Sequence, residues 1–345
     1  MSTGDTPKTP KLCTECAASK ACIQRPYRGA RLCRTCFAAA LEREVHEQIV
    51  REGMFRAGER VAVGVSGGKD SAVLAHLLRV LNERHGYGLE LVLLAVDEGI
   101  HGYRDDSLEA VRRHQQSQQL PLRIVSFEEM YNGWTMDRVV GQIGRRNNCT
   151  FCGVFRRQAL ERGAIDASAD KIATGHNADD LAETVLLNLV RGDAKRLLRC
   201  TDAVAREPDE GAAADGRWIP RVKPLKCLYE KEIVTYAYLQ RIDYFATECT
   251  YAPYSYRGAA REFIKQVETL RPRAIRDMAD AAEQLQDTQR RHPSPVTGGS
   301  RVHRCARCGY LCSQPYCKAC VLLEHLNEGT GSLATRRAGT RLGRE

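Results

Sequence analysis

No long apolar run interrupts the chain, so none of its 345 residues reads as part of a membrane span. An apolar leader is missing too: the first eleven residues, MSTGDTPKTPK, are polar, and secretion is not expected. Aromatic residues are few, at 6%, and Tyr87, Tyr103 and most others read as ordinary packing. Apart from two cysteine modules there is no internal repeat. What is present supports a folded core, with 43% hydrophobic and 28% charged residues in a length that suits one large or two smaller domains. The net charge of +9 is compatible with nucleic acid, although a basic surface alone does not require it.

Fifteen cysteines are the first strong signal, and most fall in Cys-x-x-Cys pairs. With no secretory segment, a disulfide framework is disfavoured, and metal or redox use is the better reading. Two thiolates on a tight knuckle subtend one metal ion, and two knuckles complete a tetrahedron. Cys13/Cys16 with Cys33/Cys36 fit a zinc ribbon near the N-terminus, and Cys305/Cys308 with Cys317/Cys320 fit a second near the C-terminus. That predicts two Zn²⁺ ions per chain. Each would fold a small module that cannot bury a core of its own. Cys22, Cys312 and His303 read as bystanders.

A third pair, Cys149/Cys152, has no second pair near it. It stands in RRNNCTFCGVFRR, between a predicted helix around 134–143 and another beginning near Val154. From Arg138 to Arg162 there are six arginines and one acid, Glu161. Guanidinium groups beside exposed thiols favour the thiolate, which suits metal, iron–sulfur or sulfur-transfer chemistry. Cys249, in TECTYAPYSYRG, is expected at a strand-to-loop exit after RIDYFAT. Cys200 and Cys227 lie in less constrained surroundings.

The second strong signal is VAVGVSGGKDS at 61–71: a β-branched run, a glycine turn and then a helix-forming stretch. Glycines let the backbone approach an anion with several N–H groups, the helix adds its dipole end, and Lys69 adds a full charge. Gly64, Val65, Ser66, Gly67, Gly68, Lys69, Asp70 and Ser71 therefore make a phosphate cradle. It is more compact than a Walker loop, which needs four residues between its first glycine and its Gly-Lys. Further β-like runs at 91–96, 122–127 and 171–174 alternate with helical stretches at 70–82, 104–118 and 177–190. An amphipathic helix carrying Phe37, Leu41, Val45 and Ile49 follows the first ribbon. The alternation implies an α/β fold with a doubly wound parallel sheet, whose ligands sit beyond the carboxyl ends of the strands. At those ends stand Asp97, suited to ribose or adenine, and the cluster Gly175, His176, Asp179 and Asp180. The two latter acids either cap a helix or bind Mg²⁺ opposite a triphosphate.

Residues 206–216 read as a surface insertion and 290–300 as a linker. The expected organisation is a ribbon and helix at 1–53, an ATP-binding catalytic domain at 54–288, a linker and ribbon at 289–327, and a disordered tail at 328–345.

Taken in order, the cysteine pairs, SGGKDS, VDEGI, CTFCG, TGHNADD-x-AET, ECTYAP and the final ribbon resemble the PP-loop family of tRNA 2-thiolation enzymes, from about Cys13 to Cys320. The resemblance implies a cytoplasmic, adenylating sulfurtransferase that uses ATP and Mg²⁺ to replace the C2 oxygen of the wobble uridine by sulfur. It maps the family's three cluster cysteines onto Cys149, Cys152 and Cys249, which would hold a 4Fe–4S cluster; a persulfide on one thiolate is the alternative. Arg156 lies where relatives carry a basic catalytic side chain, beside Lys69 and Asp180 as further catalytic candidates. Implied partners are tRNA, a ubiquitin-like sulfur carrier protein, and a paralogous second subunit or a second copy. Two other readings share some of these features: cytidine 2-thiolation or another PP-loop reaction, and a non-enzymatic zinc-ribbon RNA-binding scaffold.

Overall fold

The valine- and leucine-rich runs assemble into one parallel sheet in a computed structural model that describes residues 11–145, 147–204, 218–254, 256–292 and 303–329. Its strands are β1 (Arg60–Val65), β2 (Glu90–Asp97), β3 (Leu122–Ser126), β4 (Lys171–Ala173) and β5 (Arg221–Val222), in the spatial order β3-β2-β1-β4-β5. Each neighbouring pair is parallel. The order runs outward in both directions from β1, which makes the sheet doubly wound and puts a switch point at the end of β1.

Alternation along the strands divides the core between two faces. Val61, Val63 and Val65 of β1, with Leu91, Leu93 and Ala95 of β2, meet helices α1 (Arg34–Arg51), α2 (Lys69–His85) and α3 (Arg104–Gln118). Ala62, Val92 and Leu94 point the other way, onto α4 (Asn148–Asp166) through Phe151 and Phe155. Leu74, Leu77 and Leu78 of α2 are completely buried; truncating any one to alanine costs about 2–5 kcal/mol by loss of transfer energy and the cavity left.

Beyond β4 the chain forms α5 (Ala178–Val190), α6 (Glu230–Leu239), α7 (Tyr256–Leu270) and α8 (Ala274–Arg291). Each end carries a small antiparallel hairpin: Ile23–Gln24 with Arg31–Leu32, and His303–Arg304 with Leu311–Cys312. The first leads into α1 and the second into α9 (Lys318–Asn327). Cys33 and Cys317 are the N-caps of those helices, their sulfurs accepting from the N–H groups of Cys36 at 3.5 Å and Cys320 at 3.4 Å. No helix among the described residues is long and apolar enough to cross a membrane.

Three expectations are corrected. The helix expected near Val154 begins at Asn148, so Cys149 and Cys152 lie in its first turns and not on a knuckle. Its opening is rich in weak helix formers; burial of Phe151 and Phe155 supplies what propensity lacks. RIDYFAT forms no strand: its backbone serves α3 and the glycine turn instead, with Asp243 C=O 2.6 Å from His114 Nε2 and Phe245 N–H donating to Gly67 C=O at 2.8 Å. The helix α8 runs to Arg291, into the expected linker. The expected insertion at 206–216 and most of the tail at 328–345 lie outside the described residues.

Candidate active site

The glycine turn at the end of β1 is held by its carbonyls. Ser107 Oγ donates to Ser66 C=O at 3.0 Å, and Phe245 N–H takes Gly67 C=O. Ser71 Oγ accepts from Ser66 N–H at 3.1 Å and donates to Gly68 C=O at 2.9 Å, closing the turn on itself. Gly67 has φ of +75°, and a Cβ there would stand 2.7 Å from the Ser107 carbonyl oxygen, so no other residue fits. Helix α2 starts at Gly68 with no side-chain cap, an N-terminus suited to receive an anion. Gly64 and Val65 belong to β1 itself, Val65 buried.

The loop after β4 closes against this turn. A Cβ on Gly175 would lie 3.0 Å from the Asp70 carbonyl carbon and oxygen. Asn177 Nδ2 donates to Asp70 Oδ1 at 2.9 Å, while its Oδ1 accepts from Asp180 N–H at 3.0 Å and Asp180 Oδ2 accepts from Asn177 N–H at 3.2 Å. Asp180 thus completes the capping box of α5 beside Asp70. Burial raises the Asp70 carboxyl and the negative charge of Asp180 adds to that, opposed by Lys69. Two crowded carboxylates of this kind suit a divalent cation. Asp179 is turned elsewhere, onto Lys265 Nζ at 2.5 Å and Glu230 N–H at 2.8 Å. His176 Nδ1 lies 2.9 Å from Thr174 Oγ1, and burial pushes its imidazole toward the neutral form. Asp97 is buried, accepting from Gly99 N–H at 2.9 Å and pairing with Arg104 at 2.8 Å.

On the opposite face of the sheet, α4 presents Cys149, Cys152 and Arg156 at successive turns. Arg156 Nη2 donates to Cys152 Sγ at 3.3 Å, and its Nε pairs with Glu98 at 2.7 Å, just past β2. Cys249 Sγ accepts from Tyr251 N–H at 3.5 Å. Burial pushes the Cys152 thiol up to about 11; Arg156 opposes this, and Glu98, Cys249 and Cys149 reinforce it. The expectation of an easily ionised pair therefore does not hold for Cys152, since burial outweighs the guanidinium. Cys249 is raised by burial first and also feels Arg156, Glu98 and Cys149. The three thiols thus share one electrostatic neighbourhood around Arg156. Cys227 is buried against other elements, and Cys200 Sγ donates to Leu197 C=O at 3.2 Å.

Two sets of sulfurs lie within 4.8 Å of one another: Cys13, Cys16, Cys33 and Cys36, and Cys305, Cys308, Cys317 and Cys320. Both fit a single tetrahedral Zn²⁺. Cys149, Cys152 and Cys249 do not form a third such set among the described residues. All fifteen cysteines are free.

A PP-loop domain family matches residues 38–268, and a zinc-ribbon family matches 303–334. Cytoplasmic tRNA 2-thiolation protein 1 of Danio rerio is 56% identical over 324 residues, covering 94% of this chain and 91% of that protein. The chain belongs to this family. The Chlamydomonas reinhardtii member is 54% identical, covering 97% of this chain and 90% of its own length. A solved relative, the U34-tRNA thiolase NcsA from Methanococcus maripaludis with its 4Fe–4S cluster, superposes with a TM-score of 0.73 at 29% identity, over 90% of this chain and 94% of that one.

Sequence reasoning missed three residues of this family member's site. Glu98 and Glu230, which pair with Arg156 and Lys69, are ordinary helix-rich or loop acids in the sequence. Gln158 donates its amide to Cys317 Sγ at 3.4 Å and Cys308 Sγ at 3.7 Å. For Glu98 alone a signal existed, its place directly after a strand end.

Proposed function

We propose that this chain catalyses ATP-dependent 2-thiolation of the wobble uridine of tRNA, in the cytoplasm that its relatives' name specifies. What supports the reading is that the Ser66–Ser71 cradle follows β1 and that Glu98, which anchors Arg156 beside Cys152, follows β2, both at carboxyl ends of one parallel sheet. The C2 oxygen of uridine attacks the α-phosphorus of ATP; the bond from Pα to the bridging oxygen breaks, and pyrophosphate leaves with that electron pair. Lys69 and the α2 N-terminus meet the charge that develops on the phosphates. Asp70 and Asp180 would hold Mg²⁺, which neutralises phosphate charge. Sulfide then attacks C2 and AMP departs with the former carbonyl oxygen.

Cys149, Cys152 and Cys249 would hold a 4Fe–4S cluster, which when bound supplies an iron free to take sulfide. Arg156, on its Glu98 anchor, keeps a positive charge where the anionic sulfur source arrives. We further infer a ubiquitin-like sulfur carrier as donor, and a paralogous subunit or second copy as partner; the family resemblance supports both. Cytidine thiolation is disfavoured by the two four-cysteine sets, and a pure scaffold by the intact cradle. The test is anaerobically purified protein with ATP, sulfide and unmodified tRNA. AMP, pyrophosphate and 2-thiouridine should form together in wild type, and Lys69→Ala should make none of them. Equal turnover by Lys69→Ala would refute the assignment.

A further inference from the structure

Lys69 does not project freely from the cradle. Its ammonium lies 2.8 Å from Glu230 Oε1 and 3.2 Å from Asp70 Oδ2. Glu230 is the first residue of α6, and its second oxygen is 3.1 Å from Lys265 Nζ of α7. Lys265 is in turn bonded to Asp179, which also accepts the Glu230 backbone N–H. Burial acts against ionisation of Glu230, yet hydrogen bonds and charge from Lys69 and Lys265 bring its carboxyl down to about 2, so it is anionic at any working pH. The helix that carries it is fixed from behind: Arg25 of the N-terminal ribbon bonds Glu232 at 2.6 Å, with side chains only 2% and 1% exposed.

We propose that Glu230 is a positioning residue that holds the Lys69 ammonium over the SGGKDS turn and surrenders it to phosphate when ATP binds. Lys265 makes the exchange balanced. Before binding, Glu230 lies between two ammonium groups; afterwards Lys69 pairs with phosphate and Glu230 keeps Lys265, so no carboxylate is left buried alone. Asp179, by gripping Lys265, keeps that second cation in place. The inference rests on the ATP-cradle reading but makes a separate claim, that a carboxylate competes with phosphate for Lys69.

Two measurements on full-length protein test it. In Glu230→Gln, ATP affinity by calorimetry should rise about fivefold, the equivalent of one largely buried ion pair no longer broken on binding. A residue with a merely structural role would weaken ATP binding. Independently, acetylation of Lys69 by an amine-reactive ester, read by peptide mass spectrometry against exposed Lys195, should be severalfold faster in Glu230→Gln, and Glu230→Asp should restore slow labelling in part. Unchanged Lys69 labelling, or weaker ATP binding in a variant that keeps both zinc ions, would overturn the proposal. If wild type forms no AMP yet the labelling shift appears, the thiolation reading fails and the Glu230 hold stands. Should Glu230→Gln not fold, Glu230→Asp carries both tests, with labelling at the wild-type rate and unaltered ATP affinity counting against the hold.

Discussion

The two ribbons use the same four-cysteine set and the same helix-capping third cysteine, yet they are joined to opposite faces of the sheet by different chemistry. The N-terminal ribbon packs Leu32, Cys33 and Phe37 into the core and adds a fastening by charge: Arg25 reaches Glu44 of α1 at 2.7 Å and Glu232 of α6 at 2.6 Å, and Tyr27 stacks on Tyr229 at 5.2 Å. The C-terminal ribbon is fastened by apolar packing and neutral donors. Leu322 and Leu326 join the core of Phe151 and Phe155, Tyr310 Oη donates to Glu161 at 2.9 Å, and Trp134 Nε1 donates to Asn327 at 2.9 Å. Each attachment also sets what the ribbon supports. The first steadies α6, which carries Glu230 against Lys69; the second steadies α4, which carries Cys149, Cys152 and Arg156. The metal folds each module, and the fastening links it to one half of the chemistry.

The largest effect that would sharpen this comparison comes from the metal itself. Structural zinc supplies about 10–16 kcal/mol to small modules that lack a core. Cys33→Ser and Cys317→Ser should each reduce the metal count from two zinc ions to one and expose one ribbon to protease. Cys152→Ser should keep both ions, because its spacing lies on a helix and not in a zinc set. Elemental analysis decides this. A zinc loss in Cys152→Ser would erase the distinction between the two kinds of Cys-x-x-Cys.

Next in size is the charged fastening. Arg25→Met strands Glu232, a side chain 1% exposed, without its cation. An orphaned buried charge costs about 3–5 kcal/mol, so the thermal transition should fall by many degrees while α4 and its ribbon keep their protection in hydrogen exchange. Adding Glu232→Gln should recover most of the loss, since the amide oxygen still accepts from Tyr229 N–H, which now bonds Glu232 Oε2 at 3.0 Å. If the double variant is no more stable than the single, the ribbon is not held by charge.

The contrast also explains what was legible in the sequence. The strands β1 to β4 showed as β-branched runs, the cradle as glycines at a strand-to-helix junction, and the zinc sets as repeated spacings. These are local signals. The strand β5 has two residues and exists only because β4 offers it a ladder. The start of α4 was hidden because Asn, Cys, Thr and Gly favour helix weakly, and RIDYFAT imitated a strand because its β-branched and aromatic residues pack without pairing. Glu230 and Gln158 were invisible, and Glu98 was marked only by its place after a strand end, for one reason: their partners lie far away in the chain, 150 residues in the case of Gln158 and Cys308.

The smallest expected effect tests the neutral fastening. Gln158 is buried, and its amide N–H groups face two thiolates of the C-terminal set. Four thiolates around one dication carry a net negative charge, and each N–H pointed at sulfur offsets part of it. Gln158→Leu removes the donors at nearly constant volume, so packing is largely kept and the change falls on the metal. Loss of such an outer partner lowers metal affinity about 10- to 100-fold. In competition with chelators of graded strength, the C-terminal zinc should therefore leave first and the N-terminal zinc at its wild-type point. Gln158→Glu should release it more readily still, because a carboxylate would face thiolates of the same sign. Equal release of both ions in Gln158→Leu would mean that α4 does not support the C-terminal metal through this side chain, and the asymmetry between the ribbons would then rest on Arg25 alone.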